Sequence, residues 1–155
     1  MLLGSLTDIA DYSSASYYSL LQSIMYTFKK EERLCSKKLL EELFHSGSSF
    51  LLYPYRIVWL AQSLQSSVSA QVVINVPKRR FKSAVDRNLI KRRIREIYRL
   101  NKFEELYSFL TDNSAQLIFG INYVGKNIAD YNFMEKKLKA AIGQLKVEFI
   151  KKNAD

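Results

Sequence analysis

The chain has 155 residues, of which 48% are hydrophobic, and this is the size of one domain that buries its own core. Its 24 Lys and Arg residues exceed its 15 Asp and Glu residues, and the net charge of +9 favours a polyanion or an anionic membrane surface as partner. One Cys and one His exclude a disulfide within the chain and a zinc site built from those ligands. No apolar run approaches the roughly 20 residues that cross a bilayer.

The first 27 residues are rich in Ser, Tyr and Leu and contain no Lys or Arg. A secretory signal peptide begins with a positively charged stretch, which this segment lacks. We therefore expect residues 1–27 to be a disordered N-terminal extension, with a weak amphipathic helix over Tyr18–Tyr26 as the alternative. Residues 28–152 are expected to form a single domain. The lone Cys fits a reducing compartment, so the expected location is the cytoplasm.

The domain is predicted to begin with a helix. Ser36 is a suitable N-cap for residues 37–44, in which the apolar residues have helical spacing, and Gly47 follows as a helix end. Aromatic and β-branched runs then predict three strands, over residues 48–53, 55–60 and 70–76.

The second half of the domain predicts a helix, a strand and a helix. A Ser-x-x-Asp spacing at Ser83 resembles a capping box and begins a helix that extends to about Asn101, with further helical turns over residues 103–110. Residues 117–121 predict a fourth strand. Asp130 begins a last helix with an apolar stripe of Phe133, Met134, Leu138, Ala141, Ile142, Leu145 and Phe149. The order α-β-β-β-α-β-α predicts an α+β sandwich with helices packed on one sheet.

The positive charge is concentrated in one segment. Residues 78–102 contain eleven basic residues and two acidic ones, so this segment alone carries +9. The remaining 13 basic and 13 acidic residues cancel. A protein that is basic only for solubility does not segregate its charge in this way.

The predicted helix in this segment has two unlike faces. At about 100° per residue, Ile90, Ile94 and Ile97 lie on one side, which predicts a buried stripe. The opposite side carries Asn88, Arg92, Arg95 and Arg99 within about 30° of a common line, with Lys91 on the same flank and Arg87 near the boundary.

Phosphate groups are the expected counter-charge for this arginine stripe, because the guanidinium fork binds them bidentately. The upstream cluster of Lys78, Arg79, Arg80 and Lys82 is placed to bind the same backbone. An acidic protein partner and a merely solvated charged face are the alternatives.

The stretch from Val76 to Glu96 resembles the signature of the protein subunit of bacterial ribonuclease P. That family has a strand ending in Lys and then Ala-Val-x-Arg-Asn-Arg-x-Lys-Arg-x-x-Arg-Glu, matched here by Ala84, Val85, Arg87, Asn88, Lys91, Arg92, Arg95 and Glu96. The resemblance covers about residues 28–150. Leu89 takes the place of the second arginine of the Arg-Asn-Arg triplet, so no RNA contact is assigned to it, and Leu40 replaces a frequent aromatic residue.

The resemblance implies a two-layer α+β sandwich with a mixed four-stranded sheet, like the second domain of ribosomal protein S5. It implies a cytoplasmic ribonucleoprotein that removes the 5′ leader from precursor transfer RNA. The family's RNA subunit performs the hydrolysis with magnesium, so no catalytic residue, metal or cofactor is assigned to the protein. The expected partners are ribonuclease P RNA and precursor transfer RNA, with no membrane and no obligate protein partner.

The family also implies a leader cleft between the first helix and the sheet. Phe44 is the first candidate there because aromatic rings stack on bases without regard to sequence, and ordinary core packing is its alternative. Leu40, Arg56 and Val58 are the other cleft candidates. Trp59 is expected in the core.

Two further residue groups complete the predictions. Lys29, Lys30 and Arg33 are further candidates for phosphate contacts, although the neighbouring Glu31 and Glu32 offset their charge. His45 is expected to be exposed at a helix end.

Two rival functions remain open at this point. One is a structural RNA-binding protein of ribosomal type, which needs no leader cleft. The other is an independent nuclease, which needs carboxylates or histidines gathered around metal ions, whereas the acidic residues here are scattered.

Overall fold

A computed structural model of the protein describes residues 14–154. None of the helices in this range is long and apolar enough to span a membrane. The helices are α1 (Ser14–Met25), α2 (Lys37–Ser46), α3 (Ala84–Lys102), α4 (Ser108–Asp112) and α5 (Tyr131–Ala154), with a 3-10 turn at Lys30–Glu32 and a π-helical turn at Phe103–Tyr107. The strands are β1 (Ser48–Leu52), β2 (Tyr55–Ala61), β3 (Ala70–Asn75) and β4 (Leu117–Tyr123).

The four strands form one mixed sheet in the order β1-β2-β4-β3. The β1–β2 and β2–β4 pairs are antiparallel, whereas β3 runs parallel to β4 because the whole of α3 lies between them in the chain. The α+β class and the mixed four-stranded sheet are as predicted.

One face of the sheet is covered by α3 and α5. Ile90, Ile94 and Ile97 are fully buried there, as the helical periodicity predicted, and Trp59 and Phe119 lie in the same core. The predicted stripe of α5 is also buried, apart from its first member.

Phe133 is the exception on α5, because it is 39% exposed instead of buried. At about 100° per residue, Phe133 lies about 130° from the mean direction of the six buried residues of the stripe, so its side chain points away from the sheet. The Phe133 ring instead lies 5.6 Å from Lys137 Nζ on the solvent side.

The other face of the sheet is partly covered by α2. Leu43 of α2 lies over Val58 and Ile118 in a second, smaller core. The helix ends against the sheet at Gly47, where a Cβ atom would come within 2.3 Å of the Leu43 carbonyl oxygen. Glycine is therefore required for this close approach.

The N-terminal segment differs from the expected disordered extension. Residues 14–25 form α1, which corresponds to the alternative of a helix, while residues 1–13 lie outside the described residues. The turn after α1 is tied to the end of α3: Arg99 Nη1 donates to the Tyr26 carbonyl oxygen at 2.8 Å, and Lys102 Nζ donates to the Thr27 carbonyl oxygen.

A buried polar cluster anchors the next few residues. Glu32 and Lys102 are both buried and form an ion pair, and the Tyr107 hydroxyl donates to the same carboxylate. Burial lowers the pKa of Lys102, and the hydrogen bond to Glu32 opposes that change. The segment before α2 is therefore held against the C-terminal end of α3.

Candidate RNA interface

Helix α3 presents its predicted arginine face to solvent. The Ser83 hydroxyl caps the helix by accepting from Asp86 N at 3.4 Å, and the buried isoleucines fix its rotation. Arg92 and Arg95 are exposed and have no hydrogen-bond or ion-pair partner within residues 14–154. The predicted residues Asn88, exposed, and Lys91, half-buried, belong to the same surface. These side chains are available to bind phosphate.

Arg99 has a different environment from the other arginines of the stripe. It binds the Glu96 carboxylate bidentately, with Nη2–Oε1 at 2.6 Å and Nε–Oε2 at 3.1 Å, in addition to its bond with Tyr26. The hydrogen bond lowers the pKa of Glu96 and raises the pKa of Arg99. Its charge is already compensated, so Arg99 is the least available of the predicted RNA contacts.

Arg87 folds the basic loop back onto the start of α3. Its Nη1 donates to the carbonyl oxygens of Phe81 and Lys82 at 2.7 and 2.8 Å, and Phe81 is buried in the main core. The other predicted contacts of this loop, Lys78, Arg79 and Arg80, are exposed, as is Lys82. Arg87 thus positions four exposed cations beside the helix.

The residues predicted to line a leader cleft lie on α2 and on the sheet face that α2 partly covers. Phe44 is 55% exposed there, so the alternative of core packing is wrong for this residue, while Leu40 is half-buried at the edge of the small core. Arg56 is exposed on the same face of the sheet. Val58 points to this face as predicted but is only 9% exposed, because Leu43 packs on it; it belongs to the core and not to the cleft wall.

Two asparagines beside Arg56 on the α2 face of the sheet were not predicted from the sequence. Asn75 Nδ2 donates to Asn122 Oδ1 at 3.2 Å, and Asn122 Nδ2 donates to the Arg56 carbonyl oxygen at 3.3 Å. Their side chains share the α2 face because Asn75 pairs with Asn122, and Asn122 with Arg56, across the sheet. The alternation of residues along β3 and β4 was the signal that would have placed them.

The other predictions fall at the margins of this surface. Lys29, Lys30 and His45 are exposed, and Trp59 is buried. Arg33 forms a parallel bridge with Val72 at the edge of β3, where it lines a hollow of about 170 Å³ together with Arg95. Within residues 14–154, no group of three or more His, Cys, Asp and Glu side chains is placed to hold a metal ion.

The sequence profile of the family described as Ribonuclease P matches residues 28–146, which is more than half of the chain. The chain belongs to the ribonuclease P protein family. The ribonuclease P protein component of Geobacter sp. (strain M21) is 32% identical over 125 residues, covering 79% of this chain and 95% of that protein. That of Porphyromonas gingivalis (strain ATCC 33277) is 29% identical over 117 residues, covering 76% and 85%.

Solved structures of ribonuclease P proteins share the fold. The Staphylococcus aureus protein superposes with a TM-score of 0.60 at 17% identity, over 75% of this chain and 96% of that one. The Thermotoga maritima protein superposes with a TM-score of 0.58 at 19% identity, over 73% and 96%. As a ribonuclease P protein component, the chain is a subunit of a ribonucleoprotein endoribonuclease of transfer RNA processing, and it associates with ribonuclease P RNA.

The ribonuclease P signature residues of this chain divide into two groups by their contacts. Arg87 and Glu96 form hydrogen bonds within the protein, whereas Asn88, Arg92 and Arg95 face solvent. Arg87 and Glu96 therefore stabilise the basic surface, whereas Asn88, Arg92 and Arg95 are exposed on it.

Proposed function

We propose that the exposed face of α3 and the basic loop bind ribonuclease P RNA, while the Phe44 flank of α2 holds the 5′ leader of precursor transfer RNA. Hydrolysis belongs to the RNA subunit with its magnesium ions. The observation that carries this proposal is the unpaired state of Arg92 and Arg95 opposite a fully buried isoleucine stripe. Two uncompensated guanidinium groups on one rigid helix suit a phosphate backbone.

The leader assignment is supported by the exposed ring of Phe44. An aromatic ring beside an open sheet face offers a stacking surface for an unpaired base. Arg56, Asn75 and Asn122 add a cation and amide groups to the floor of the same cleft. A structural RNA-binding protein of ribosomal type has no need of such a cleft.

Cleavage of precursor transfer RNA by the organism's ribonuclease P RNA, with and without the protein, tests the proposal. At low magnesium concentration the protein is expected to increase the rate of leader removal. The protein freed of RNA is expected to leave the substrate intact at every magnesium concentration. Leader removal by RNA-free protein would overturn the assignment of hydrolysis to the RNA subunit.

The substitution Phe44→Ala tests the leader cleft. Loss of one base–aromatic stack is worth about 1–3 kcal/mol, so the affinity of the RNA–protein complex for precursor transfer RNA should fall about 5- to 150-fold. Affinity for mature transfer RNA, which has no leader, should not change. Phe133→Ala is the matched control, since that ring is also exposed but lies on the outer side of α5. Equal losses for precursor and mature transfer RNA would argue against leader binding at Phe44.

A further inference from the structure

A second cavity lies on the other flank of α2. Lys38 and Glu42 line it, and on the helix they point about 160° away from Leu40 and Phe44. Its volume is about 450 Å³, within the range of about 300–1,000 Å³ typical of small-molecule sites. The polar side chains that line it include Arg33, Lys38, Glu42, Gln62, Gln65 and Gln71.

The chemistry of this cavity differs from that of the Phe44 flank. No aromatic ring lines it, so base stacking on a side chain is not available there. Three glutamines and three serines line it instead, and two cations outnumber the single carboxylate. Gln71 Nε2 donates to the Glu31 carbonyl oxygen and Ser36 caps α2, so Gln62 and Gln65 offer the free amide groups. Amide groups pair with the edges of nucleobases, and Arg33 and Lys38 suit a phosphate.

The wall of the cavity is held in place before any ligand binds. It is formed by the Ser-rich loop that connects β2 to β3, and Gln116 of the segment before β4 fixes that loop. Gln116 Oε1 accepts from Leu64 N at 3.0 Å, and its Nε2 donates to the carbonyl oxygens of Ser66 and Val68 at 3.1 and 2.8 Å. A pre-organised wall lowers the entropic cost of binding.

Arg33 connects this cavity to the arginine face of α3. It lines the cavity, and it also lines the hollow of about 170 Å³ at the edge of β3 that contains Arg95. A single RNA strand in contact with both Arg95 and the cavity would pass Arg33 between them. We propose that the cavity binds one nucleotide of single-stranded RNA and distinguishes its base through Gln62 and Gln65.

This inference rests on the proposed function, because it extends the same RNA-binding surface. Single-stranded RNA reaches the cavity either as the precursor leader or as an unpaired segment of ribonuclease P RNA. Cys35 distinguishes these sources, since it is exposed, lines the cavity and is the only cysteine of the chain.

A photoreactive azidophenacyl group attached to Cys35 is expected to cross-link to one or two adjacent nucleotides in the complex of full-length protein, ribonuclease P RNA and precursor transfer RNA. Cross-links in the leader or in the RNA subunit identify the source, and either result supports the site. The control carries the same group on an Asn132→Cys, Cys35→Ser variant, where the label is exposed on α5. We expect at least tenfold fewer RNA cross-links from the control.

Base discrimination is tested with Gln62→Ala, Gln65→Ala, whose side chains have no hydrogen-bond partner within residues 14–154. The cleavage rate of the unlabelled wild-type complex should be about fivefold or more higher with one base at the cross-linked position than with the others. The double variant should lose this preference, because its cleavage rate with the preferred base falls. Cross-linking no stronger than the control, or an unchanged base preference, would overturn the inference even while RNA binding and cleavage persist. Absence of RNA binding by the wild type would instead refute the proposed function.

Discussion

The five arginines between positions 87 and 99 are equivalent in the sequence but not in the structure. Arg87 and Arg93 donate to backbone carbonyl oxygens within the protein, and Arg99 is paired with Glu96. Only Arg92 and Arg95 have neither kind of partner among the described residues. A count of arginines therefore overestimates the number of phosphate contacts that α3 can form.

The double substitution Arg92→Ala, Arg95→Ala is expected to weaken RNA binding strongly without unfolding the protein. If each arginine neutralises one phosphate, the slope of log affinity against log salt concentration becomes shallower by about 1.4–1.8. Salt-titrated binding measures this slope, and far-UV circular dichroism confirms the fold.

Two control variants accompany this experiment. Arg99→Ala should change the slope less than either single substitution in the pair, because Glu96 already compensates its charge. Ile94→Asp should unfold the protein, because it buries an unpaired charge in the main core. An unchanged slope in the folded double variant would show that the α3 stripe does not meet RNA.

At the scale of the elements, the sequence predicted what depends on local periodicity. The isoleucine stripe of α3 and the stripe of α5 after Phe133 follow from helical spacing, and the strands follow from runs of aromatic and β-branched residues. The burial of Lys102 could not be predicted from local spacing, because its partners Glu32 and Tyr107 come from other elements, and Glu32 lies 70 residues away in the sequence. The position of Val58 beneath α2 was also missed, since residue alternation gives the face of a strand but not the helix that covers it.

Deletion of residues 1–27 is expected to leave RNA binding largely unchanged but to destabilise the protein, because the turn after α1 is bonded to the end of α3. This segment contains no basic residue, so RNA affinity should change less than tenfold. The deletion also removes the Tyr26 and Thr27 carbonyl groups that accept from Arg99 and Lys102, so the free energy of unfolding should fall by about 1–3 kcal/mol.

Urea denaturation and equilibrium RNA binding measure the two effects separately. Deletion of residues 1–13 is the matched control, because it leaves both carbonyl groups in place. A tenfold or greater loss of affinity would give the N-terminal segment a direct role in RNA binding.

At the scale of the whole molecule, the position of the charge matters more than its total. The segment of residues 78–102 carries the full +9, yet α5 also holds exposed lysines, including Lys136 and Lys139 on its outer side. At physiological salt the Debye length is about 8 Å, so exposed charges beyond that distance from the RNA contribute little.

Substitution of Lys136 and Lys139 by Glu therefore provides a test of the interface at this scale. It lowers the net charge by four, twice the change made by replacing Arg92 and Arg95 with Ala. If RNA binding followed net charge, the Glu variant would be the weaker binder with the shallower salt slope. If binding depends on the exposed face of α3, the salt slope of the Glu variant should stay within about 0.5 of the wild-type value. Salt-titrated binding of both variants to ribonuclease P RNA decides between these outcomes, and a slope reduced by two or more in the Glu variant would place α5 in the interface.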